Sequence, residues 1–453
     1  MKKAIIFFCC FVLIICAVPV TQARALYNQV LETIPHYADI ILLESLDDGS
    51  VIFEKNADVV TPPASFTKII TAAIVLKNCK NLNTVITVPE YTIRMLDGTN
   101  SSNVGLKPGE KISVLNLLYC LLVPSANDAA TVLADYVAGN MDKFVDMMND
   151  YVKSIGCRNT HFVNPHGLDE DGQKTTANDM MKIVKEAMKI PLFVKITSNE
   201  NYSVPATNLS GIRKLNSTVL LMNEGYKDYY CKYASGIKTG STTGAGRCVI
   251  SKASKDGYSY LAVIMKAPFE DIDKDGVNEN CALVDCKTLF NWTFDNIKLR
   301  TVARSTQIIS EVPVKLSWSV DHVQLMPKED VLALVPSGIN AGSVLIDVVE
   351  KSVPESINAP VKKGQEIAQA RVLYAGEEIT RITLVSGEDV DRSLILFIGS
   401  LVRSLASTVA FKIIAAVLFL FAAAFACLIL YSRLHRRKRK RLRVLNYRDI
   451  QGK

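Results

Sequence analysis

The sequence predicts an α/β catalytic unit, an antiparallel sheet with a helical insertion, followed by a small all-β domain and a C-terminal transmembrane helix. Three observations carry this. β-Rich runs near residues 39–54 and 249–265 bracket a long stretch of helical periodicity. Beyond about Leu299 the chain turns to short β-branched runs parted by Gly, Pro or Asn. Ile413 to Tyr431 is nineteen residues without a charge, long enough to cross a bilayer as a helix. A chain of 453 residues, 49% hydrophobic and 21% charged, has room for two or three domains and a large core.

Taken in order, Asp39 to Leu43 and Val51 to Glu54 flank Asp47-Asp48-Gly49, a hairpin signal. Pro62-Pro63 stops extended structure, and Ala64 to about Lys77 reads as a helix. A polar stretch, Asp97 to Asn103, precedes Ser113, which caps an apolar helix over Val114 to Val123 that Pro124 ends. Helical patterning follows at Asp128 to Ala138, Met141 to Ile155 and Ala177 to Met188, with an Asn/His/Pro/Gly loop at Asn159 to Gly172. Val249 to Ser251 and Tyr260 to Met265 are extended, and Leu283 to Asn296 is helical. Val312 to Val320, Val331 to Val335, Val344 to Val349, Glu366 to Val372 and Glu378 to Leu384 make the all-β domain. Leu394 to Phe411 has helical apolar spacing, an interfacial stem. The expected boundaries are 1–25, 26–298, 299–392, 393–412, 413–431 and 432–453: signal peptide, catalytic domain, β-rich domain, stem, span and basic tail.

The two ends set the compartment. Lys2 and Lys3, an apolar run from Ala4 to Val20 and the small residues of Ala23-Arg24-Ala25 read as an export signal, with an uncleaved N-terminal anchor as the alternative. Arg433 to Arg443 holds eight Lys or Arg in eleven positions, which keeps that end of the span cytoplasmic. The tail contributes +9 and the signal +3 to the formal +7, leaving −5 for residues 26–431. A nucleic-acid-binding reading of the basic balance is thereby excluded, and the tail reads as a topology and lipid-headgroup device. The chain would sit in the cell membrane with its catalytic domain extracytoplasmic.

Of eleven cysteines, four lie in the signal or the span. The seven others have no CxxC or Cys/His zinc spacing and specify no pairing scheme, and most of them read as small buried hydrophobes. Asp271-Ile272-Asp273-Lys274-Asp275-Gly276 resembles the start of a calcium loop, but position twelve is Ala282 where a bidentate Glu is required. It reads as an acidic turn. No metal site and no cofactor are expected.

Three motifs carry chemistry: Ser65-Phe66-Thr67-Lys68, Ser125-Ala126-Asn127 and Lys238-Thr239-Gly240. At i and i+3 of a helix, Ser65 and Lys68 lie one turn apart on one face. A serine in a first turn has free N–H groups beside it, and a desolvated lysine can serve as its base. The pattern alone proves little, since Ser235-Gly236-Ile237-Lys238 repeats it. Ser125 follows the Pro124 break, where a hydroxyl can relay a proton and the Asn127 amide can both donate and accept. An ordinary helix N-cap would use the same residues. On an edge strand, Lys238 and Thr239 can hold a carboxylate, and Gly240 admits a substrate backbone. The Ser241 N–H can then complete an oxyanion hole with that of Ser65. A plain glycine turn is the alternative.

Together with their flanks, these segments resemble the low-molecular-mass penicillin-binding proteins, the serine-type D-alanyl-D-alanine carboxypeptidases. The matching stretches are Pro63 to Lys68, Val123 to Ala130, Phe162-Val163-Asn164-Pro165-His166-Gly167-Leu168 and Gly236 to Gly240, joined by Thr176 to Met180 and Ala359-Pro360-Val361. The resemblance covers roughly residues 36 to 390. It implies the penicillin-binding/β-lactamase-like transpeptidase fold and an acyl-enzyme on Ser65 that releases D-alanine from peptidoglycan stem peptides ending in D-Ala-D-Ala. It also implies Lys68 as base, Ser125 as relay, Asn127 as acyl-amide contact, Lys238 and Thr239 on the terminal carboxylate, and acylation by β-lactam antibiotics. Some relatives place an arginine just after the strand ending near Met265, where this chain has Lys266-Ala267-Pro268. His166, in a Pro-Gly loop, is expected to hydrogen-bond that loop to itself. A DD-endopeptidase, a β-lactamase-like enzyme and an inactive peptidoglycan-binding protein are the competing readings.

Overall fold

The structure, a computed structural model, describes residues 31, 33–337, 344–374 and 377–450, with the side chains of the last helix described to Arg436. The expected signal peptide lies outside the described residues. Two compact units emerge, one running to Arg300 and taking in short stretches from 332 and 374, the other holding the rest.

The first unit is built on a five-stranded antiparallel sheet. Its strands are β1 (Ile40–Ser45), β2 (Val51–Lys55), β7 (Ala234–Thr242), β8 (Gly246–Lys255) and β9 (Tyr258–Ala267), in the order β2-β1-β9-β8-β7. Two small hairpins supply the intervening strands, β3 (Val85–Thr87) with β4 (Lys111–Ser113) and β5 (Asn201–Val204) with β6 (Arg213–Asn216). The hairpin expected around Gly49 is present, with Ile41 opposite Lys55.

Both faces of the sheet are apolar, because successive side chains point opposite ways. Ile40, Leu42, Ile250, Leu261, Val263 and Met265 face the core shared with the helical insertion. Ile41, Leu43, Val249, Tyr260, Ala262 and Ile264 face a second core, closed by the helix Cys281–Asn296. In that helix the buried Asp285 carboxylate accepts the backbone N–H groups of Tyr37 and Ala38, tying the lead-in of β1 to it. Leu334 also joins this core.

The insertion opens with a 3-10 turn, Ala64–Phe66, followed by α1 (Thr67–Asn78). The sequence places Ser65 inside the helix; the structure places it one step earlier, because Ala64 takes a left-handed backbone with φ 47° and tightens the entry. Then come α2 (Glu90–Arg94), α3 (Val114–Leu122), α4 (Asn127–Ala138), α5 (Met141–Ser154), α6 (Ala177–Met188) and α7 (Pro191–Thr197). Ser113 caps α3 by accepting from the Asn116 N–H, and Thr176 caps α6 by accepting from Asp179.

The second unit carries a six-stranded sheet whose inner face holds Val312, Val323, Leu325, Ala370 and Leu384. The helices Leu394–Ser407 and Val409–Ile450 follow. Within Val409–Arg436 an eighteen-residue window of the latter reaches a mean hydropathy of 3.0 and is wholly unburied, and this is the one helix among the described residues long and apolar enough to cross a membrane.

Candidate active site

The sheet edge and the helical insertion bring the first and third motifs together. Within the turn from Ser65 into α1, the Lys68 Nζ lies 2.8 Å from the Ser65 Oγ and 2.6 Å from the His166 carbonyl oxygen. Lys68 is fully buried. Burial, then the charge of nearby Lys238, lowers it well below the ordinary lysine range, with the Asp128 carboxylate acting in the opposite sense. Lowering of this kind favours the neutral form, and a neutral amine at this distance can take the proton from the serine hydroxyl.

Strand β7 is the edge strand that the third motif requires. Lys238 is fully buried, donates to the Thr239 carbonyl at 2.9 Å, and is lowered by burial to about 7. A Cβ added at Gly240 would stand 3.3 Å from the Ser65 nitrogen and 3.1 Å from the Ala64 Cβ. Glycine is therefore what lets the strand lie against the serine turn. The Thr239 hydroxyl donates to that of Thr218 at 2.6 Å. The Ser241 hydroxyl accepts from the Arg247 guanidinium at 2.9 Å.

The second motif occupies the junction between α3 and α4. Ser125 is 7% exposed with a left-handed backbone of φ 70°, and Asn127 is 3% exposed. The N-cap of α4 is Ala126, with no side-chain capping bond, so neither the Ser125 hydroxyl nor the Asn127 amide is used up as a cap. One residue on, the buried Asp128 carboxylate accepts from the Val104 and Leu106 N–H groups and fastens this junction to the polar stretch before it.

A loop over residues 159–172 backs the serine turn. A Cβ at Gly167 would come 1.8 Å from the Ala64 carbonyl oxygen, and its φ of 91° admits glycine readily. The Asn164 side chain accepts from the Gly167 N–H, and the Gln173 amide bridges Asn164 to the Thr67 hydroxyl. His166 turns its Nδ1 to the Leu168 N–H, the self-bonding expected of it. Burial and the Lys68 charge press it down to about 3, so the ring is neutral. Thr218, Gln173 and Arg247 went unread in the sequence. Only Arg247 left a signal, because the Gly244-Ala245-Gly246 turn fixes which residue of β8 faces Ser241.

Away from the site, carboxylate oxygens of Asp271, Asp273 and Asp275 gather within 4.8 Å. They accept the N–H groups of Asp275, Gly276 and Val277, which accounts for their clustering as a turn.

A family model of the S11 peptidases, described as D-alanyl-D-alanine carboxypeptidase, matches residues 29–269, more than half of the chain. The chain belongs to this family. It is by that membership a serine peptidase, a hydrolase. A second model, the C-terminal domain of penicillin-binding protein 5, matches residues 299–392. The D-alanyl-D-alanine carboxypeptidase DacF of Bacillus subtilis is 26% identical over 378 residues, 83% of this chain and 91% of that enzyme. DacA of Escherichia coli is 28% identical over 78% of this chain and 83% of its own. Among solved structures, penicillin-binding protein 5 of Haemophilus influenzae superposes with a TM-score of 0.61 at 27% identity, over 80% of this chain and 99% of that one. The fold is that of the penicillin-binding proteins, as the sequence led us to expect.

Proposed function

We propose that this protein is a penicillin-sensitive DD-carboxypeptidase that trims terminal D-alanine from peptidoglycan stem peptides through an acyl-enzyme on Ser65. The observation that carries the reading is the buried Lys68 amine 2.8 Å from the Ser65 hydroxyl, with Lys238 beside it. Lys68 takes the Ser65 proton as Oγ attacks the carbonyl of the penultimate residue. The N–H groups of Ser65 and Ser241 steady the oxyanion. As the C–N bond breaks, Ser125 passes that proton to the departing amine of D-alanine. Water then cleaves the ester. Asn127 holds the acyl amide, Lys238 and Thr239 hold the terminal carboxylate, and the smooth face of Gly240 admits the peptide.

The same reading takes the Val409–Arg436 helix as the anchor, the catalytic unit outside the cell and the basic tail inside. It favours a carboxypeptidase over a β-lactamase-like enzyme because Glu170, the glutamate of the loop behind the serine turn, already accepts from the Asn164 amide at 3.1 Å and holds its own loop.

The test uses the full chain in detergent with a Ser65→Ala variant, a pentapeptide ending in D-Ala-D-Ala, and labelled penicillin. Ser65-dependent D-alanine release together with a stable adduct is the expected result, with Ser65→Ala lowering release by at least about 10³-fold. An adduct without release would turn the reading to an endopeptidase or a binding protein. Rapid penicillin turnover would turn it to a β-lactamase.

A further inference from the structure

We propose that Arg247, on the strand next to the Lys238-Thr239-Gly240 motif, is a substrate-binding residue that grips the terminal carboxylate. The inference rests on the carboxypeptidase reading and adds to it the cation that sets its preference for a free C-terminus. In the antiparallel pairing of β7 and β8, Ser241 stands opposite Arg247 and Thr239 opposite Val249. Side chains of directly opposed residues share a face, and so do those two apart along a strand. Thr239, Ser241 and Arg247 are therefore on one face, with Arg247 the diagonal neighbour of Thr239. Diagonal neighbours lie about 7–8 Å apart, within reach of a long side chain. Lys238 and Gly240 alternate to the other face, toward the serine turn. A carboxylate lying along this edge is thus approached by an ammonium from one face and a guanidinium from the other.

The guanidinium is also held in place. Its carbon sits 4.2 Å from the centre of the Phe269 ring, and its Nη1 donates to the Ser241 hydroxyl at 2.9 Å. Stacking fixes the plane of the fork, and the hydroxyl draws it toward β7. That hydrogen bond goes to a neutral partner, which leaves the charge and the remaining N–H groups for an anion. An arginine fork matches a carboxylate with two parallel bonds, a geometry that an ammonium cannot supply. The β7–β8 turn that presents Arg247 is itself anchored, since the Asp169 carboxylate accepts from both the Thr242 hydroxyl and the Gly244 N–H. On β9, Ala267 is the residue opposite Arg247, so the adjoining position carries no cation of its own.

The experiment compares the full chain with Arg247→Gln, Arg247→Lys and Lys266→Ala on two peptides, one ending in D-Ala-D-Ala and one in D-Ala-D-alaninamide. Acylation by penicillin and by its methyl ester is measured in parallel. Arg247→Gln is expected to raise KM for the free acid about 10–100-fold with kcat little changed, and to slow acylation by penicillin but not by its ester. The amide peptide should be unaffected, Arg247→Lys should recover part of the loss, and Lys266→Ala should behave as the parent. Equal losses on charged and uncharged partners, or no loss, would overturn the assignment. If the parent takes penicillin but releases no D-alanine, the carboxypeptidase reading fails, while the acid-against-ester comparison still decides Arg247.

Discussion

Glu110 and Lys68 are both wholly buried, and the fold treats them in opposite ways. Burial alone would push the Glu110 carboxyl up. Instead the Arg213 fork at 2.5 and 2.7 Å, the Thr207 hydroxyl and the Lys107 N–H outweigh it and hold the group below its ordinary value. Every oxygen of that carboxylate has a partner, as a structural charge needs. Around Lys68 the main charged neighbour is a second lysine, and the smaller pull of the Asp128 carboxylate does not make up for burial. Such an arrangement costs stability, and it leaves one amine free to accept a proton and another free to meet an anion. The contrast separates charge that builds the fold from charge kept for chemistry.

The largest effects should come from breaking that contrast at its two ends. Lys68→Met removes a buried amine without opening a cavity. D-Alanine release is expected to fall by about 10³-fold while the melting temperature holds or rises. Glu110→Ala should do the reverse. It leaves the partly buried Arg213 guanidinium without its bidentate counter-charge and should lower stability by about 3 kcal/mol in denaturant melts, with kcat nearly unchanged. A Lys68→Met protein that melts markedly lower would mean that the amine is structural after all.

How far this contrast was legible in the sequence differs from one part to the next. The Ser113 cap and the helix Ala177–Met188 obey local rules, and the structure agrees with them. The position of Ser65 was off by a turn type, since nothing local announces the left-handed Ala64 that Gly167 makes room for. The hairpins β3–β4 and β5–β6 escaped notice because three- and four-residue strands with polar faces carry too few alternations to register. In the motifs, residue types pointed to acyl transfer, but Ser-x-x-Lys occurs twice. Only the tertiary burial of one copy against Lys238 distinguishes it. Thr218 and Gln173 act through distant contacts that no spacing encodes.

A smaller effect should appear in pH dependence. In the proposed reaction Lys68 must be neutral to accept a proton, and Lys238, lowered by burial to about 7, must be charged to hold a carboxylate. On the free-acid peptide, kcat/KM should therefore rise and then fall with pH, the basic limb beginning near 7. On the amide peptide that basic limb should be absent. Stability runs the opposite way from an ordinary paired group. Because the folded value of Lys238 lies below the unfolded one, the stability tied to its neutral form is present above about 10.5 and is lost as pH falls through about 7. Lys238→Met should gain on the parent most at pH 7 and below, with the gain shrinking toward pH 10.5. For Glu110 the folded value is lowered, so its contribution should persist at neutral pH and fade only as the medium is acidified through the carboxylate range.

The smallest effect concerns a residue that acts through another. Thr218 receives the Thr239 hydroxyl at 2.6 Å and so fixes which way that hydroxyl's lone pairs and proton point. Its own backbone is held by a bond from its N–H to the Val123 carbonyl, next to the Pro124 break that introduces Ser125. Thr218 thereby ties the orientation of the Thr239 hydroxyl to the junction carrying the second motif. Thr218→Val keeps the shape and deletes the acceptor. Thr239 should then sample other rotamers, raising KM for the free-acid peptide about 3–10-fold, the cost of one lost neutral hydrogen bond, with kcat and melting temperature nearly unchanged. Thr218→Ser, which restores the oxygen, should return KM to the parent value. If both substitutions change KM alike, the methyl packing of Thr218 matters and its hydroxyl does not.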